Sequence, residues 1–318
     1  MLAHHLWVCL RINRFNMCGI LGFIGESKYP EITEALITKL FVNTRIRGTD
    51  ASGYYCVTNF KEKNIFYYKQ PISSNLFVNK EEYKNIWNNK INLGIFHCRA
   101  ASSGVGIPAE NVNNHPFIST DFKTALIHNG LIAKEDYENL LGSYEVESKC
   151  DSEIVLRLLE QKKDKIDCVR DFLSYSEKSY FAIAAAFVTD STRSLILGRN
   201  IHRPLIIIDL RKTLGQIIFA STIDLFVKTV DELSAEYQSY FMPLMIYELK
   251  KDFIYKLDLE KDNNIIFSEY KSKKQNVEKK KPVVFKNIEN MESDFKLISS
   301  LIPYENLFVK NQAFESSV

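Results

Sequence analysis

The sequence predicts an α+β protein built from layered sheets, and three observations support this fold class. Short runs of β-type residues follow one another between turn residues from Cys18 to about Leu249. The helical patterns are grouped apart from these runs, which favours packed sheets, because strict βαβ alternation would place a helix between successive strands. The composition, 46% hydrophobic and 25% charged over 318 residues, is typical of a globular chain with a large core.

In the first half of this region, one helix and five strands are predicted. Gly19–Gly25 predicts a buried strand whose glycines allow close backbone packing. Glu31–Val42 carries apolar residues at helical spacing and predicts a helix. Further strands are predicted at Tyr54–Thr58, Ile65–Tyr68, Leu93–His97 and Thr124–His128.

In the second half of this region, one helix and four strands are predicted. A helix is predicted at Asp151–Glu160, whose apolar side chains lie on one face. Strands joined by tight polar turns are predicted at Tyr180–Val188, Ser194–Gly198, Leu205–Asp209 and Gln216–Ala220.

The composition changes near the end of this region, so we expect one domain over residues 18–249 and an extension over 250–318. Lys271–Lys281 is rich in lysine and predicts a solvated linker or an exposed loop rather than a nucleic-acid site. Asn287–Leu301 has helix-like spacing and suits docking either on the domain or on a partner.

Charge and cysteine content exclude several classes of function. The formal charge of +2 gives no electrostatic reason to expect nucleic acid or an acidic membrane as a partner. The cysteines contain no C-x-x-C pair, so no metal site is expected, and the reducing cytoplasm is the expected location. The apolar stretches are too short to span a bilayer. The six cysteines are Cys9, Cys18, Cys56, Cys98, Cys150 and Cys168.

An ordered series of short motifs suggests a catalytic site, although each motif alone is weak. They are M-C-G-I at Met17–Ile20, R-G-T-D-A-S-G at Arg47–Gly53, H-C-R-A-A-S-S-G at His97–Gly104, N-N-H-P-F at Asn113–Phe117, H-N-G at His128–Gly130 and C-D-S-E at Cys150–Glu153. In order and spacing this series resembles the class II glutamine amidotransferases, the N-terminal-nucleophile glutaminases. The resemblance covers roughly Met17 to Leu249 and implies a four-layer αββα sandwich of two mainly antiparallel sheets.

The residue types explain how Cys18 could act as the nucleophile. A cysteine thiol of ordinary pKa is mostly protonated at neutral pH and needs a nearby base. If Cys18 is the first residue of the mature chain, its own α-amino group, with a pKa of about 7.7–8.0, can be that base. The thiolate would attack the side-chain amide of glutamine, release ammonia and form a γ-glutamyl thioester that water hydrolyses. This chemistry requires no metal or organic cofactor.

The resemblance also implies roles for the surrounding polar residues. The Asn129 side chain and the Gly130 N–H would stabilise the oxyanion, although Asn-Gly after a strand is also an ordinary turn signal. Arg99, with Ser102 beside it, would bind the substrate α-carboxylate, and Asp151 would bind the α-ammonium. The structural alternatives are a surface ion pair for Arg99 and a helix N-cap for Asp151.

A second group of residues is expected to support the first. Arg47 and Asp50 resemble the pair that holds the loop and amino terminus of the nucleophile, and a structural hairpin turn is the alternative. His115 is expected either to line the pocket or to be structural. His97 and His128 are expected to be core histidines, and Cys56 and Cys98 small buried residues.

Two features depart from the family pattern. Members with a sugar-isomerase half often have R-W-A-T-H-G where this chain has R-A-A-S-S-G, which keeps Arg99 but puts loop closure and partner signalling in doubt. The second is the segment 1–17. While Met1 is retained, the Cys18 nitrogen is an amide and cannot act as a base. We therefore expect either a misassigned start, with translation beginning at Met17, or a propeptide that is removed.

Three functions remain open. The first is a stand-alone glutaminase subunit that binds L-glutamine and passes ammonia to a synthase on a separate chain, since residues 250–318 are too few for a synthase domain and contain no adenylation loop. The second is a γ-glutamyl amide or peptide hydrolase that transfers no ammonia. The third is a catalytically silent regulatory subunit, which the joint presence of Cys18, Arg99, Asn129, Gly130 and Asp151 disfavours.

Overall fold

The computed structural model describes residues 17–101, 106–142, 144–161, 164–174, 178–241, 245–251, 253–271 and 283–285. Within them, apolar runs form strands that are buried along their whole length, as in Ala51–Thr58 and Ile91–Arg99. Strands buried on both faces must be covered on each side by another layer. The strands assemble into two seven-stranded sheets in which every pairing is antiparallel.

The strands are numbered here in chain order. They are β1 (Gly19–Ile24), β2 (Ala51–Thr58), β3 (Ile65–Gln70), β4 (Ile91–Arg99), β5 (Phe117–Ile118), β6 (Thr124–Leu131), β7 (Tyr180–Val188), β8 (Arg193–Arg199), β9 (Ile206–Leu210), β10 (Gln216–Ala220), β11 (Met245–Glu248), β12 (Phe253–Leu259), β13 (Ile265–Lys271) and β14 (Val283–Phe285). The first sheet has the order β11-β9-β10-β1-β4-β2-β3, and the second β14-β13-β12-β8-β7-β6-β5.

The helices of the described residues cover the two sheets from outside. They are α1 (Pro30–Thr44), α2 (Ser74–Phe77), α3 (Glu81–Lys84), α4 (Lys134–Leu141), α5 (Glu153–Gln161), α6 (Lys165–Ser174), α7 (Ile223–Asp231) and α8 (Ala235–Gln238). Helix α1 begins at Pro30, whose fixed φ and missing N–H suit the first helical position. Its core-facing side chains, among them Leu36 and Phe41, recur at helical spacing and are fully buried.

Three hydrophobic clusters separate the four layers. Between the sheets, residues such as Ile95 of β4 pack with Ile127 of β6. On the outer face of the first sheet, Phe23 and Phe96 belong to a cluster with α1 and α7. On the outer face of the second sheet, Ile183 packs with residues of α5 and α6. The result is a four-layer αββα sandwich of two antiparallel sheets, as expected.

Every element predicted before residue 250 is present, several with longer bounds. Six helices and five strands among the described residues were not predicted. They are α2, α3, α4, α6, α7 and α8, and β5, β11, β12, β13 and β14. The expected domain boundary at residue 249 would separate β12 from the second sheet. In the structure β12 pairs with β8 on one side and with β13 on the other, so the strands after residue 249 belong to the same fold. Of the expected linker at Lys271–Lys281, only Lys271 is described, and it lies in β13. The expected helix at Asn287–Leu301 lies outside the described residues.

Candidate active site

Cys18 lies directly before β1, in the centre of the first sheet. The register that pairs Gly19 with Cys98 brings Cys18 beside the end of β4. The backbone N–H of Ala100 points at the Cys18 Sγ at 3.4 Å, and the Sγ lies 3.6 Å from the Ala100 carbonyl oxygen. The half-buried thiol thus faces the backbone that follows β4.

Burial is the main influence on the ionisation of this thiol. It raises the pKa of Cys18 above its ordinary value, and the Asp151 carboxylate adds to the effect. The Ala100 N–H, Arg99 and Arg47 act in the opposite direction and do not reverse it. The resting thiol is therefore protonated at neutral pH, and attack on an amide requires a base close to the sulfur.

Arg47 contacts the backbone of Cys18 and of Met17, which precedes it. Its Nε donates to the Cys18 carbonyl oxygen at 3.0 Å, and its own carbonyl oxygen accepts from the Met17 N–H at 3.0 Å. Burial lowers the pKa of Arg47 to about 10, so the guanidinium is still charged at neutral pH.

The loop after Arg47 packs against the end of β4. The Asp50 carboxylate accepts from the Ala101 N–H at 2.7 Å, and the Asp50 N–H donates to the Arg99 carbonyl oxygen at 3.0 Å. A Cβ on Gly48 would lie 2.4 Å from that same Arg99 oxygen, so only glycine allows this approach. The loop therefore fixes the peptide whose N–H faces the Cys18 sulfur.

Arg99 is only 3% exposed, so it is not a surface ion pair. Its guanidinium donates to the Asn114 side-chain oxygen at 2.7 Å and to the Gly106 carbonyl oxygen at 2.9 Å. Asn114 is itself fully buried and donates to the Pro108 carbonyl oxygen at 2.8 Å. These contacts hold the guanidinium against Asn114 and Gly106. The expected Ser102 is in that segment, outside the described residues.

Asn129 and Gly130 lie near the end of β6, in the second sheet. The Asn129 side chain is 1% exposed, and neither its oxygen nor its nitrogen has a hydrogen-bond partner among the described residues. A buried amide without partners costs free energy unless something else satisfies it. A Cβ on Gly130 would lie 1.7 Å from the Tyr180 carbonyl oxygen, which excludes any side chain there.

Asp151 is tied to this strand end and not to its own helix. Its Oδ2 accepts from the Ile132 N–H at 2.7 Å, and its Oδ1 accepts from the Ser152 hydroxyl at 3.2 Å. Helix α5 begins only at Glu153. None of the recorded contacts of the carboxylate is a helix N-cap, the structural alternative considered for this residue.

Three buried histidines, His97, His115 and His128, form a cluster between the two sheets. The His97 Nε2 lies 3.0 Å from the His128 carbonyl oxygen, and the His97 ring stacks on His115 at a centroid distance of 4.0 Å. Burial lowers the pKa of His97 to about 3, and it also lowers those of His115 and His128. All three are neutral at pH 7, and His115 lies within this cluster behind Arg99.

The structure thus gathers most of the predicted site residues at one end of the sandwich. The Cys18 thiol responds to the charges of Arg47, Arg99 and Asp151, and β4 meets β6 through the contact of His97 with His128. Cys56 and Cys98 are fully buried, as expected.

Sequence reasoning missed four contributors. Ala100 supplies an N–H that no side-chain pattern reveals. Asn114 and Ser152 stand inside the quoted motifs and received no role. Arg203 lies near Cys18: burial lowers its pKa, the Cys18 charge opposes that shift, and its guanidinium is 5.4 Å from the centre of the Tyr180 ring. The sequence signal for Arg203 is the tripeptide R-P-L at Arg203–Leu205, which also resembles the family pattern.

Across the described parts of the chain, no group of three or more His, Cys, Asp and Glu side chains is arranged to hold a metal ion. No helix among those residues is both apolar and long enough to cross a bilayer.

Solved structures identify the fold class. The chain superimposes on the glutamine phosphoribosylpyrophosphate amidotransferase from B. subtilis, complexed with ADP and GMP, with a TM-score of 0.53 at 18% identity. This match covers 81% of the chain and 50% of that structure. A structure described as the allosteric regulatory enzyme of purine biosynthesis gives a TM-score of 0.55 with the same identity and coverage. The shared fold is that of the N-terminal-nucleophile hydrolases.

Sequence relatives agree with this likeness, although no protein-family model matches the chain. A glutamine–fructose-6-phosphate aminotransferase (isomerizing) of Clostridium perfringens is 29% identical over 198 residues, covering 60% of this chain and 30% of the relative. One of Bacteroides thetaiotaomicron is 32% identical over 154 residues, covering 46% of this chain and 22% of the relative. The chain spans less than a third of the length of these relatives. In sequence and in fold it is similar to glutamine amidotransferases.

Proposed function

We propose that this protein hydrolyses the side-chain amide of L-glutamine, with Cys18 as nucleophile. The observation that carries the proposal is the buried Asn129 amide, which has no partner among the described residues. A donor held ready in this way suits an oxyanion that exists only during the reaction. The thiol, the oxyanion donors and the two charged groups that glutamine requires all belong to one end of the sandwich.

The reaction begins with a proton transfer within one residue. With its α-amino group free, Cys18 gives its thiol proton to that amine, and the sulfur attacks the amide carbon. The carbonyl oxygen becomes an oxyanion, which the Asn129 side-chain NH₂ and the Gly130 N–H stabilise. The C–N bond then breaks, the amine returns the proton to the leaving nitrogen, and ammonia departs.

Water completes the cycle. The same amine takes a proton from water, the hydroxide adds to the γ-glutamyl thioester, and the C–S bond breaks. Glutamate leaves, and the Cys18 thiol recovers its proton. One oxyanion site serves both steps, since each passes through a tetrahedral intermediate at the same carbon.

The charged residues select glutamine over other amides. Arg99 would bind the α-carboxylate through charge-assisted hydrogen bonds, with Ser102 adding a hydroxyl. Asp151 would bind the α-ammonium. Arg47 and Asp50 would hold the nucleophile and the Ala100 peptide, and His115 would support the wall of the pocket behind Arg99.

The base requires a free amine at Cys18, so residues 1–17 must be absent from the active form. Removal of Met17 leaves the Cys18 carbonyl contact with Arg47 Nε in place, since that contact is made by Cys18 itself. A start at Met17 followed by loss of the methionine, or cleavage of a propeptide, would both produce this form.

The ammonia would pass to a synthase on a separate chain. The curated relatives are named as aminotransferases and are more than three times longer than the aligned part, so they contain more than this fold. The strands β12 and β13, which follow residue 249, belong to the second sheet and therefore to the proposed glutaminase fold, not to a synthase.

A glutaminase assay tests the proposal. Purified protein whose first residue is Cys18 should release equal amounts of glutamate and ammonia from L-glutamine, and Cys18→Ala should abolish both. Cys56→Ala is the matched control, because Cys56 is buried in the core between the first sheet and its helices. Retention of glutamate release by Cys18→Ala, or a preference for γ-glutamyl peptides over glutamine, would contradict it.

A further inference from the structure

Three contacts hold the Asp151 carboxylate, and two of them lead to the same strand. The third comes from the neighbouring Cys150 thiol, whose Sγ lies 3.7 Å from Oδ1. Its Oδ2 accepts from the N–H of Ile132, which follows β6 directly, at 2.7 Å. Its Oδ1 accepts from the Ser152 hydroxyl at 3.2 Å, and that hydroxyl lies 2.8 Å from the Nδ1 of His128, inside β6. The two anchors, His128 and Ile132, stand on either side of Asn129 and Gly130.

Ser152 is therefore the link between the carboxylate and the strand. It is 2% exposed, and its neighbour His128 is 1% exposed, so water does not replace either contact readily. His128 is fixed from the other sheet as well, because its carbonyl oxygen lies 3.0 Å from the His97 Nε2. Helix α5 starts after Ser152, at Glu153, so the hydroxyl does not lie within the regular helix.

We propose that Ser152 is a positioning residue which holds the Asp151 carboxylate in a fixed place relative to the Asn129–Gly130 dipeptide. This inference rests on the proposed glutaminase function. A substrate whose ammonium is bound by Asp151 then presents its distal amide carbonyl to Asn129 and Gly130. Without the hydroxyl, Oδ1 keeps only the weak Cys150 thiol donor at 3.7 Å, while the Ile132 N–H still holds Oδ2. The carboxylate is then less restrained against rotation about its terminal bond.

If Ser152 has this role, its removal should cause a selective loss of ligand affinity. Ser152→Ala should weaken interactions that involve the ammonium of the ligand, while interactions with its carboxylates remain. Loss of one buried hydrogen bond to a charged group corresponds to about a tenfold change in affinity. A residue that only stabilised the fold would weaken all ligands together.

Calorimetric binding to the full chain measures this without turnover. L-Glutamate carries the ammonium, and glutarate has the same carboxylates without it. We expect Ser152→Ala to reduce the preference for L-glutamate over glutarate about tenfold, and Ser152→Thr, which keeps the hydroxyl, to restore it. Ser119→Ala is the matched control: Ser119 is a buried serine whose hydroxyl accepts from the Thr124 N–H at the far end of β6.

The outcomes separate the two proposals. An unchanged preference in Ser152→Ala, or an equal loss for both ligands, overturns the positioning role, and Ser152→Cys gives a second variant of similar size if alanine prevents folding. Selective binding of L-glutamate by a protein that never hydrolyses glutamine overturns the proposed function and leaves the positioning role standing. Binding of neither ligand overturns both.

Discussion

At the scale of single residues, the candidate site contains a few buried polar groups. The Asn129 amide has no hydrogen-bond partner among the described residues, and the buried Arg99 guanidinium donates to the Asn114 and Gly106 oxygens. The sequence motifs assign a role to both residues, because residue type and order are enough for that. They assign none to Asn114 or to the Ala100 N–H, because the roles of buried neighbours and backbone donors depend on the packing of distant strands.

Asn129→Ala should lower the turnover number for glutamine by about 10²–10³, because one oxyanion donor is lost. The thermal unfolding midpoint should stay near that of the wild type, since the amide makes no hydrogen bond within the described residues. Steady-state kinetics and a melting curve measure both. A large drop in the melting point with unchanged turnover would mean that the amide is structural.

Arg99→Lys should raise the KM for glutamine by about tenfold or more, because an ammonium cannot reproduce the fork of the guanidinium. Turnover at saturating glutamine should fall less than KM rises, since the carboxylate is remote from the reacting amide. A KM equal to that of the wild type would show that Arg99 does not bind the substrate.

At the scale of elements, alternation and apolar runs predicted most strands, whereas their ends depended on contacts across the sheets. The strand predicted at Thr124–His128 continues through Leu131, because Gly130 and Leu131 pair with Phe181 and Tyr180 of β7. This extension places Asn129 and Gly130 within the sheet rather than in a turn. A local pattern cannot show that pairing, because the partner strand lies far along the chain.

Gly130→Ala should destabilise the fold by about 2 kcal/mol or more, since its Cβ would meet the Tyr180 carbonyl oxygen at 1.7 Å. The control is Gly198→Ala in β8 of the same sheet, where the nearest atoms lie at 3.7 Å. That variant should have wild-type stability. Denaturant unfolding compares the two, and equal stability of both variants would contradict the close approach of β6 and β7.

The histidine cluster predicts a pH dependence of stability. Burial lowers the pKa of His97 to about 3 and also lowers those of His115 and His128, whereas an unfolded histidine titrates near 6.5. Below pH 6.5 the unfolded state therefore binds more protons than the folded state. The stabilisation is complete above pH 6.5 and is lost progressively as the pH falls towards 3.

His115→Phe keeps a ring against His97 and removes one titrating group. We expect the free energy of unfolding to depend less steeply on pH between 6 and 4, by up to about 1.4 kcal/mol per pH unit. Urea unfolding at several pH values measures the slope. An unchanged slope would show that His115 is not the source of this dependence.

At the scale of the whole molecule, the motif order predicted the four-layer sandwich, but the composition misplaced the end of the domain. The lysine-rich stretch after residue 270 has the composition of a linker, and no strand is predicted between residue 249 and that stretch. In the structure β12 lies between β8 and β13, and its Tyr255 and Leu257 are fully buried in the core between the sheets.

A chain that ends at residue 249 should therefore not fold cooperatively, because β8 would lose its partner and the core between the sheets would open. A chain that ends at residue 285 keeps β12, β13 and β14 and should unfold in one transition. Circular dichroism during heating distinguishes them. Cooperative unfolding of the shorter chain would mean that β12 and β13 are dispensable.

In the proposed mechanism, Cys18 supplies both the attacking sulfur and, once its amine is free, the base. Intact-mass spectrometry of protein quenched in acid during glutamine turnover detects the covalent intermediate. We expect a γ-glutamyl adduct on a polypeptide whose first residue is Cys18, and none on the chain that retains residues 1–17. An adduct on a chain that still begins at Met1, or on any residue other than Cys18, would contradict it.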